Sequence, residues 1–210
     1  MAGYAIVDDD AVRDAACQEI IRRYFKARCD AKQGKGKQDA VDKIHRIMQE
    51  LRLSTSDRAV VAPALKKHED TGVAAAAMEL PDGQIVTGKT SNLLGCSAAL
   101  LLNALKVLGG IHHDIHLISP IVIEPIQQLK TQDLGGHNPR LHTDEILIAL
   151  SISAATNPTA ELAMNQLPLL RGCEAHSSVI LSQVDDSTFK KLGVQLTCEP
   201  TYQTKKLYHK

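Results

Sequence analysis

The chain has 210 residues, with 24 Lys+Arg against 24 Asp+Glu, 44% hydrophobic residues, 3% aromatic residues and no Trp. That apolar content suits one large folded domain or two small ones and is too high for a disordered chain. Zero net charge gives no bulk attraction to phosphate backbones or anionic lipid, and so few aromatics provide no base-stacking platform, so neither nucleic acid nor membrane is an expected partner.

The N-terminus reads Met1-Ala-Gly-Tyr-Ala-Ile-Val before Asp8-Asp9-Asp10, without the basic start and long apolar core of a signal peptide. Val12, Ala16, Ile20 and Tyr24, flanked by Ile21 and Phe25, recur at steps of four and predict an amphipathic helix whose start the acidic triplet caps. Residues 32–38, with two glycines and three lysines, predict a solvated loop. A second helix carries Val41, Ile44, Met48 and Leu51 on one face, and a third begins near Pro63 and stops at Gly72.

Beyond residue 72 the pattern alternates. Residues 73–80 and 84–87 are extended runs joined by Asp82-Gly83, a strong hairpin signal. Residues 97–108 form a helix apolar nearly all round, ended by Gly109-Gly110. The stretch from Ala98 to Leu108 contains Asn103 and Lys106 and is too short to span a bilayer. Residues 115–118 are expected as a short strand, 120–129 as a helix or extended turn broken at Pro125, and 143–155 as a helix capped by Thr143. Asn157-Pro158 opens another helix reaching about Leu170, 178–181 a strand, 186–192 a helix closed by Gly193, and 194–198 a last strand. Strands separated by helices predict a sheet covered on both faces. The tail from Thr201 is polar and basic.

Five cysteines (Cys17, Cys29, Cys96, Cys173 and Cys198) stand singly, with no CxxC. An odd, scattered set points to reduced thiols and a cytoplasmic location.

Several segments concentrate chemistry. Gly83 to Thr90 fits the phosphate-loop pattern GxxxxGK[ST], but its variable residues, Gln-Ile-Val-Thr, read as the return strand of the hairpin, which is the favoured reading. Lys89, Thr90, Ser91 and Asn92 still lie between a strand and a buried helix, where free amides suit an anion. The hairpin, loop and buried helix resemble the core of the cytidine deaminase fold. In that resemblance Cys96 occupies a zinc-ligand position, but Ala98 stands where the proton-shuttling glutamate belongs, and residues 120–124 lack the Pro-Cys-x-x-Cys of the second zinc motif. One thiolate does not hold a catalytic zinc, so zinc deamination is not expected. His112, His113, Asp114 and His116 are read as loop-edge residues, and no metal site is assigned. Arg140 and His142 lie in a polar loop entering a helix, and Arg suits bidentate capture of phosphate or carboxylate. Cys173 and His176 are the candidates for a nucleophile and base, with a buried thiol beside a satisfied histidine as the alternative.

The segments Asp82-Gly-Gln-Ile-Val-Thr-Gly-Lys-Thr-Ser, Asn138-Pro-Arg-Leu-His-Thr-Asp-Glu, Ala155-Thr-Asn-Pro-Thr-Ala and Arg171-Gly-Cys-Glu-Ala-His-Ser, with Val179-Ile-Leu-Ser and Leu196-Thr-Cys-Glu-Pro, resemble the bacterial domain-of-unknown-function family 1846. The resemblance covers nearly the whole chain. It implies relatives about twice as long, a match to their C-terminal half, and a nucleotide-binding-like character in the other half. It also implies a helical N-terminal segment followed by a three-layer α/β/α sandwich of cytidine deaminase-like topology. The expected division is a helical segment over 1–71, a sandwich domain over 72–200 and a polar tail over 201–210.

Two functions follow as expectations. One is the C-terminal half of a cytoplasmic enzyme that binds a small molecule or nucleotide phosphate. Its ligand, a small phosphorylated compound, would meet Lys89, Thr90, Ser91, Asn92, Arg140, His142, His176 and Ser177, and no cofactor is identified. The other is a non-catalytic module that forms a homo-oligomer through its N-terminal helices.

Overall fold

The computed structural model describes residues 8–203, so residues 1–7 and the part of the polar tail over 204–210 lie outside the described residues. The chain builds α1 (Asp9–Lys32), α2 (Gln38–Glu50) and α3 (Val61–Thr71), then the hairpin β1 (Ala75–Glu79) and β2 (Ile85–Lys89). After α4 (Cys96–Leu108) and α5 (Pro120–Gln128) come α6 (Thr143–Ala154), α7 (Pro158–Met164), β3 (Glu174–Ser177), α8 (Gln183–Lys191) and β4 (Gln195–Cys198). The strands form one mixed sheet in the order β2-β1-β3-β4, with β1 antiparallel to both neighbours and β3 parallel to β4. The protein is thus of α/β class.

Side chains alternate across a strand, and each sheet face has its own cover. Ala76, Met78 and Ala175 join the main core with Leu100, Leu101, Leu105, Leu150 and Phe189, contributed by α4, α6 and α8. Ala77 points the other way onto Val60 and Ala64 at α3. His176, its partner in register, lies under Phe25 of α1 with ring centroids 4.8 Å apart. The expected α1 stripe is largely used in this packing: Ile21 and Phe25 are buried with Met48 and Val61, while Val12 stays exposed. Asp8 accepts the Ala11 amide at 2.9 Å and caps α1, as its acidic start predicts.

The phosphate-loop reading is overturned by the hairpin. Glu79 to Ala75 pair in register with Ile85 to Lys89, and the Leu80 amide bonds the Gln84 carbonyl at 2.9 Å. Gly83 sits in the turn with φ of 82°. Gly88 is needed for close packing: a Cβ there would stand 2.2 Å from the Leu100 amide nitrogen of α4.

Two predicted strands differ. Residues 115–118 form turns and bends, in which Leu117 and Ile118 are buried without joining the sheet. The Ile115 amide closes back on the His112 carbonyl at 3.1 Å, and Pro120 opens α5 two residues after Ile118. The strand expected over 178–181 is instead Glu174–Ser177, whose partners on both sides come from distant parts of the chain. The predicted α7 ends early, and Leu167–Leu170 makes a separate 3-10 turn around Pro168. Among the described residues no helix is long and apolar enough to cross a membrane.

Candidate functional site

Three helices begin at one place. The loop before α4 and the loop before α6 are tied together: the Gly95 amide bonds the Leu141 carbonyl at 3.3 Å and the Leu141 amide bonds the Leu93 carbonyl at 3.0 Å. Arg140 Nε reaches the Ser91 carbonyl at 2.7 Å, and Lys130 Nζ holds both the Arg140 carbonyl at 2.8 Å and Glu145 at 2.7 Å. The α8 start is joined to the α6 start through Asp185. Its Oδ1 accepts the Thr143 amide and hydroxyl at 3.0 Å each, and its Oδ2 accepts Ser182 Oγ at 2.7 Å and His142 Nδ1 at 3.0 Å. Thr143, expected as a cap, is therefore the first residue of α6. His142 is the cap position, its amide bonded to Glu145 at 2.7 Å.

Between these starts lies a cleft of about 260 Å³, lined by Ser97, Asn138, Arg140, His142, Ser182 and Asp185 among others. The amides of the first turn of each helix have no carbonyl four residues back, and the helix dipoles add positive potential at the same end. Ser97 is only 2% exposed and lines this cleft, yet its hydroxyl makes no hydrogen bond to a described residue. Burial alone raises an aspartate, but hydrogen bonds from His142, Ser182 and the Thr143 amide outweigh it and hold Asp185 at about 2. An ionised carboxylate only accepts, so His142 carries its proton on Nδ1 and leaves Nε2 without a protein partner. The bond to Asp185 also raises His142 above its ordinary value.

Of the residues predicted from sequence, Arg140 and His142 line this cleft. Thr90 is buried near it, its Oγ1 accepting Gln203 Nε2 at 3.4 Å. Ser91 and Asn92 serve the loop itself: Ser91 Oγ accepts the Leu93 and Leu94 amides at 3.2 and 3.1 Å, and the Asn92 carbonyl accepts Gln127 at 3.2 Å. The expected free amides at 90 and 91 are taken by the carbonyls of Ala74 and Leu94. Lys89 ends the edge strand β2, exposed. Ser177 lies behind the cleft, its Oγ 4.0 Å from Cys96 Sγ.

His176 does not belong with these residues. It is fully buried on the opposite sheet face, with Nδ1 2.8 Å from Thr197 Oγ1 and Nε2 3.5 Å from Glu199. Burial lowers its pKa. Cys173 packs in the other core and bonds the Leu169 carbonyl at 3.5 Å, so the two candidates for nucleophile and base are not brought together. Three positions apart on an extended segment, they point to opposite faces. Burial also raises the Cys173 thiol and pushes Cys96 up to about 11, against thiolate chemistry at either. At the α4 start Cys96 belongs to no group of three or more ligand-type side chains among the described residues, and Ala98 stands where a proton-shuttling carboxylate would be needed, so the donor set does not fit a catalytic zinc. The ligand-type cluster present among the described residues, His112, His113 and Asp114, is exposed and follows the far end of α4.

Sequence reasoning missed Ser97, Ser182 and Asp185. For the last two a local signal existed: Ser182-Gln-Val-Asp185 has the spacing of a helix-capping pair, and Ser182 Oγ does accept the Asp185 amide at 3.1 Å.

The model for "Domain of unknown function DUF1846, C-terminal" matches residues 56–208, which contain every residue of the cleft, and that for "Domain of unknown function DUF1846, N-terminal" matches residues 1–52. The chain belongs to the DUF1846 family. It is 54% identical over 210 residues to a UPF0371 protein of Corynebacterium glutamicum, covering 100% of this chain and 42% of that one. It is 50% identical over 215 residues to a UPF0371 protein of Clostridium botulinum, covering 99% of this chain and 43% of that one. The chain therefore spans less than half the length of these curated relatives.

Proposed function

We propose that this chain supplies the ligand cleft of a cytoplasmic enzyme acting on a small molecule or nucleotide phosphate, and that the cleft holds a small phosphorylated ligand where α4, α6 and α8 begin. The observation that carries the reading is Ser97, a residue only 2% exposed whose hydroxyl opens on the cavity at three helix N-termini and bonds no described residue. Around it, the Arg140 guanidinium offers donors beyond the one used on Ser91, and His142 offers Nε2. The hairpin leading into α4 supports the cytidine deaminase-like reading of the topology, while Cys96 and Ala98 argue against zinc deaminase chemistry. Five unpaired thiols support a reducing compartment.

The test is calorimetric titration of the chain with inorganic phosphate, followed by a thermal-shift panel of nucleotides and sugar phosphates. Phosphate should bind, R140Q should weaken it by about tenfold or more and S97A by roughly two- to tenfold. Failure of phosphate and of every member of the panel to bind would remove the reading.

A further inference from the structure

The charge around the cleft goes further than a general preference for anions. Three helix N-termini contribute about half a positive charge each, and Arg140 a full one. Asp185 is a carboxylate in the lining, but its oxygens are filled by Thr143, Ser182 and His142. Paired with a protonated His142 it is neutral. Asp144 and Asp186 also stand in the first turns of α6 and α8 but are exposed and do not line the cleft, so the lining itself keeps a positive field suited to more than one negative charge. The groups facing His142 are few: Asp185 from α8, Glu145 from its own helix, Lys130, which is paired with Glu145 at 2.7 Å, and Arg140 in its own loop. The first turn of α4 presents no charged side chain.

We propose that the cleft takes its ligand as a doubly charged tetrahedral oxyanion, of the phosphate monoester class, together with a proton on His142. This rests on the cleft being an anion site. Asp185 fixes Nδ1–H in either charge state, so protonation occurs on Nε2, the nitrogen left for the ligand. Protonation changes Nε2 from an acceptor that repels an oxyanion into a charged donor. Binding at mildly alkaline pH then draws one proton from solvent to Nε2.

Sulfate is the probe, because it stays doubly charged throughout the range and its own titration does not intrude as that of phosphate does. The 210-residue chain is titrated with sodium sulfate from about pH 6 to about pH 8.5 by calorimetry in buffers of different ionisation heat. Affinity should fall at least about tenfold across the range, with net proton uptake on the alkaline side. Acetate, carrying one charge, should bind at least about tenfold more weakly at pH 6. H142Q should bind sulfate weakly and without that pH dependence. A flat wild-type profile without proton uptake would overturn the proposal, as would H142Q binding like wild type at pH 6. The wild-type profile needs no variant, so a misfolded H142Q does not remove the test. If sulfate binds with a flat profile and R140Q still abolishes it, the anion site stands and the proton linkage falls. If neither sulfate nor phosphate binds at any pH, both fall together.

Discussion

Asp185 sets the state of the cleft because it is buried, ionised and shared. Four donors from α6, the loop before it and the α8 cap converge on its two oxygens, so no lone pair is left to repel a ligand. Asn in its place presents an amide N–H₂ to Thr143 or to Ser182 and His142, leaving a buried donor facing a donor. D185N should therefore lose about 2–4 kcal/mol of stability by urea unfolding. The pH dependence has a definite sign. The folded value, about 2, lies below the ordinary 3.8, so this contribution is present above the ordinary value and is lost as pH falls between about 4 and 2. The gap between wild type and D185N should close in that window. His142 acts in the opposite sense: its folded value is raised above 6.5, so its contribution is full below 6.5 and is lost as pH rises through the folded value. A gap between wild type and D185N that stays constant from pH 6 to pH 3 would show that the carboxylate is not the centre of this arrangement.

Strands β3 and β4 show why polar residues form a buried edge here. Arg58, 1% exposed, lies across their ends, donating to Thr197 Oγ1 at 3.0 Å and the Ala175 carbonyl at 3.1 Å, and pairing with Glu174. Glu174 is also held by Arg22 of α1 at 2.6 Å. R58M removes the charge while keeping the length, leaving Glu174 and the strand carbonyls short of donors, and should cost about 3–5 kcal/mol in denaturant unfolding. An unchanged midpoint would mean that water replaces the guanidinium. The same residues explain what could be read in the sequence. The β1–β2 hairpin was legible because its signal is local, Asp82-Gly83 between apolar runs. The α4 start, Arg140 and His142 were legible as polar groups leaving apolar elements. Glu174-Ala-His-Ser has no strand periodicity of hydrophobicity, because its polar members are answered by Arg22, 152 positions away, and by Thr197. Ser97 was illegible as a site residue for the same reason, and Asp185 showed locally only as the capping partner of Ser182, because its α6 neighbours are distant in the chain.

At the scale of the whole molecule, the family boundary and the packing do not coincide. Residues 1–52 match the N-terminal family model, yet α1 lies on the sheet built from residues of the C-terminal one. Phe25 covers His176, Arg22 and Arg28 pair with Glu174 and Glu199, and Cys29 Sγ bonds the Cys198 carbonyl at 3.2 Å. Stripping α1 and α2 would leave α3 on β1 but uncover the β3–β4 part of that sheet face, exposing His176 beneath the lost Phe25. The burial of Ile21 and Phe25 alone contributes about 3–6 kcal/mol, a large share of the 5–15 kcal/mol that holds a typical domain. A chain of residues 53–210 should therefore lose its cooperative thermal transition and bind a hydrophobic dye. F25A in the full chain should remain folded but lose about 3–5 kcal/mol. The cleft lies beyond the other face of the sheet, so F25A should still bind phosphate at a temperature where it is folded. A truncated chain that melts as sharply and as high as the full one would show that α1 only rests on the sheet, and that the C-terminal unit closes its own core.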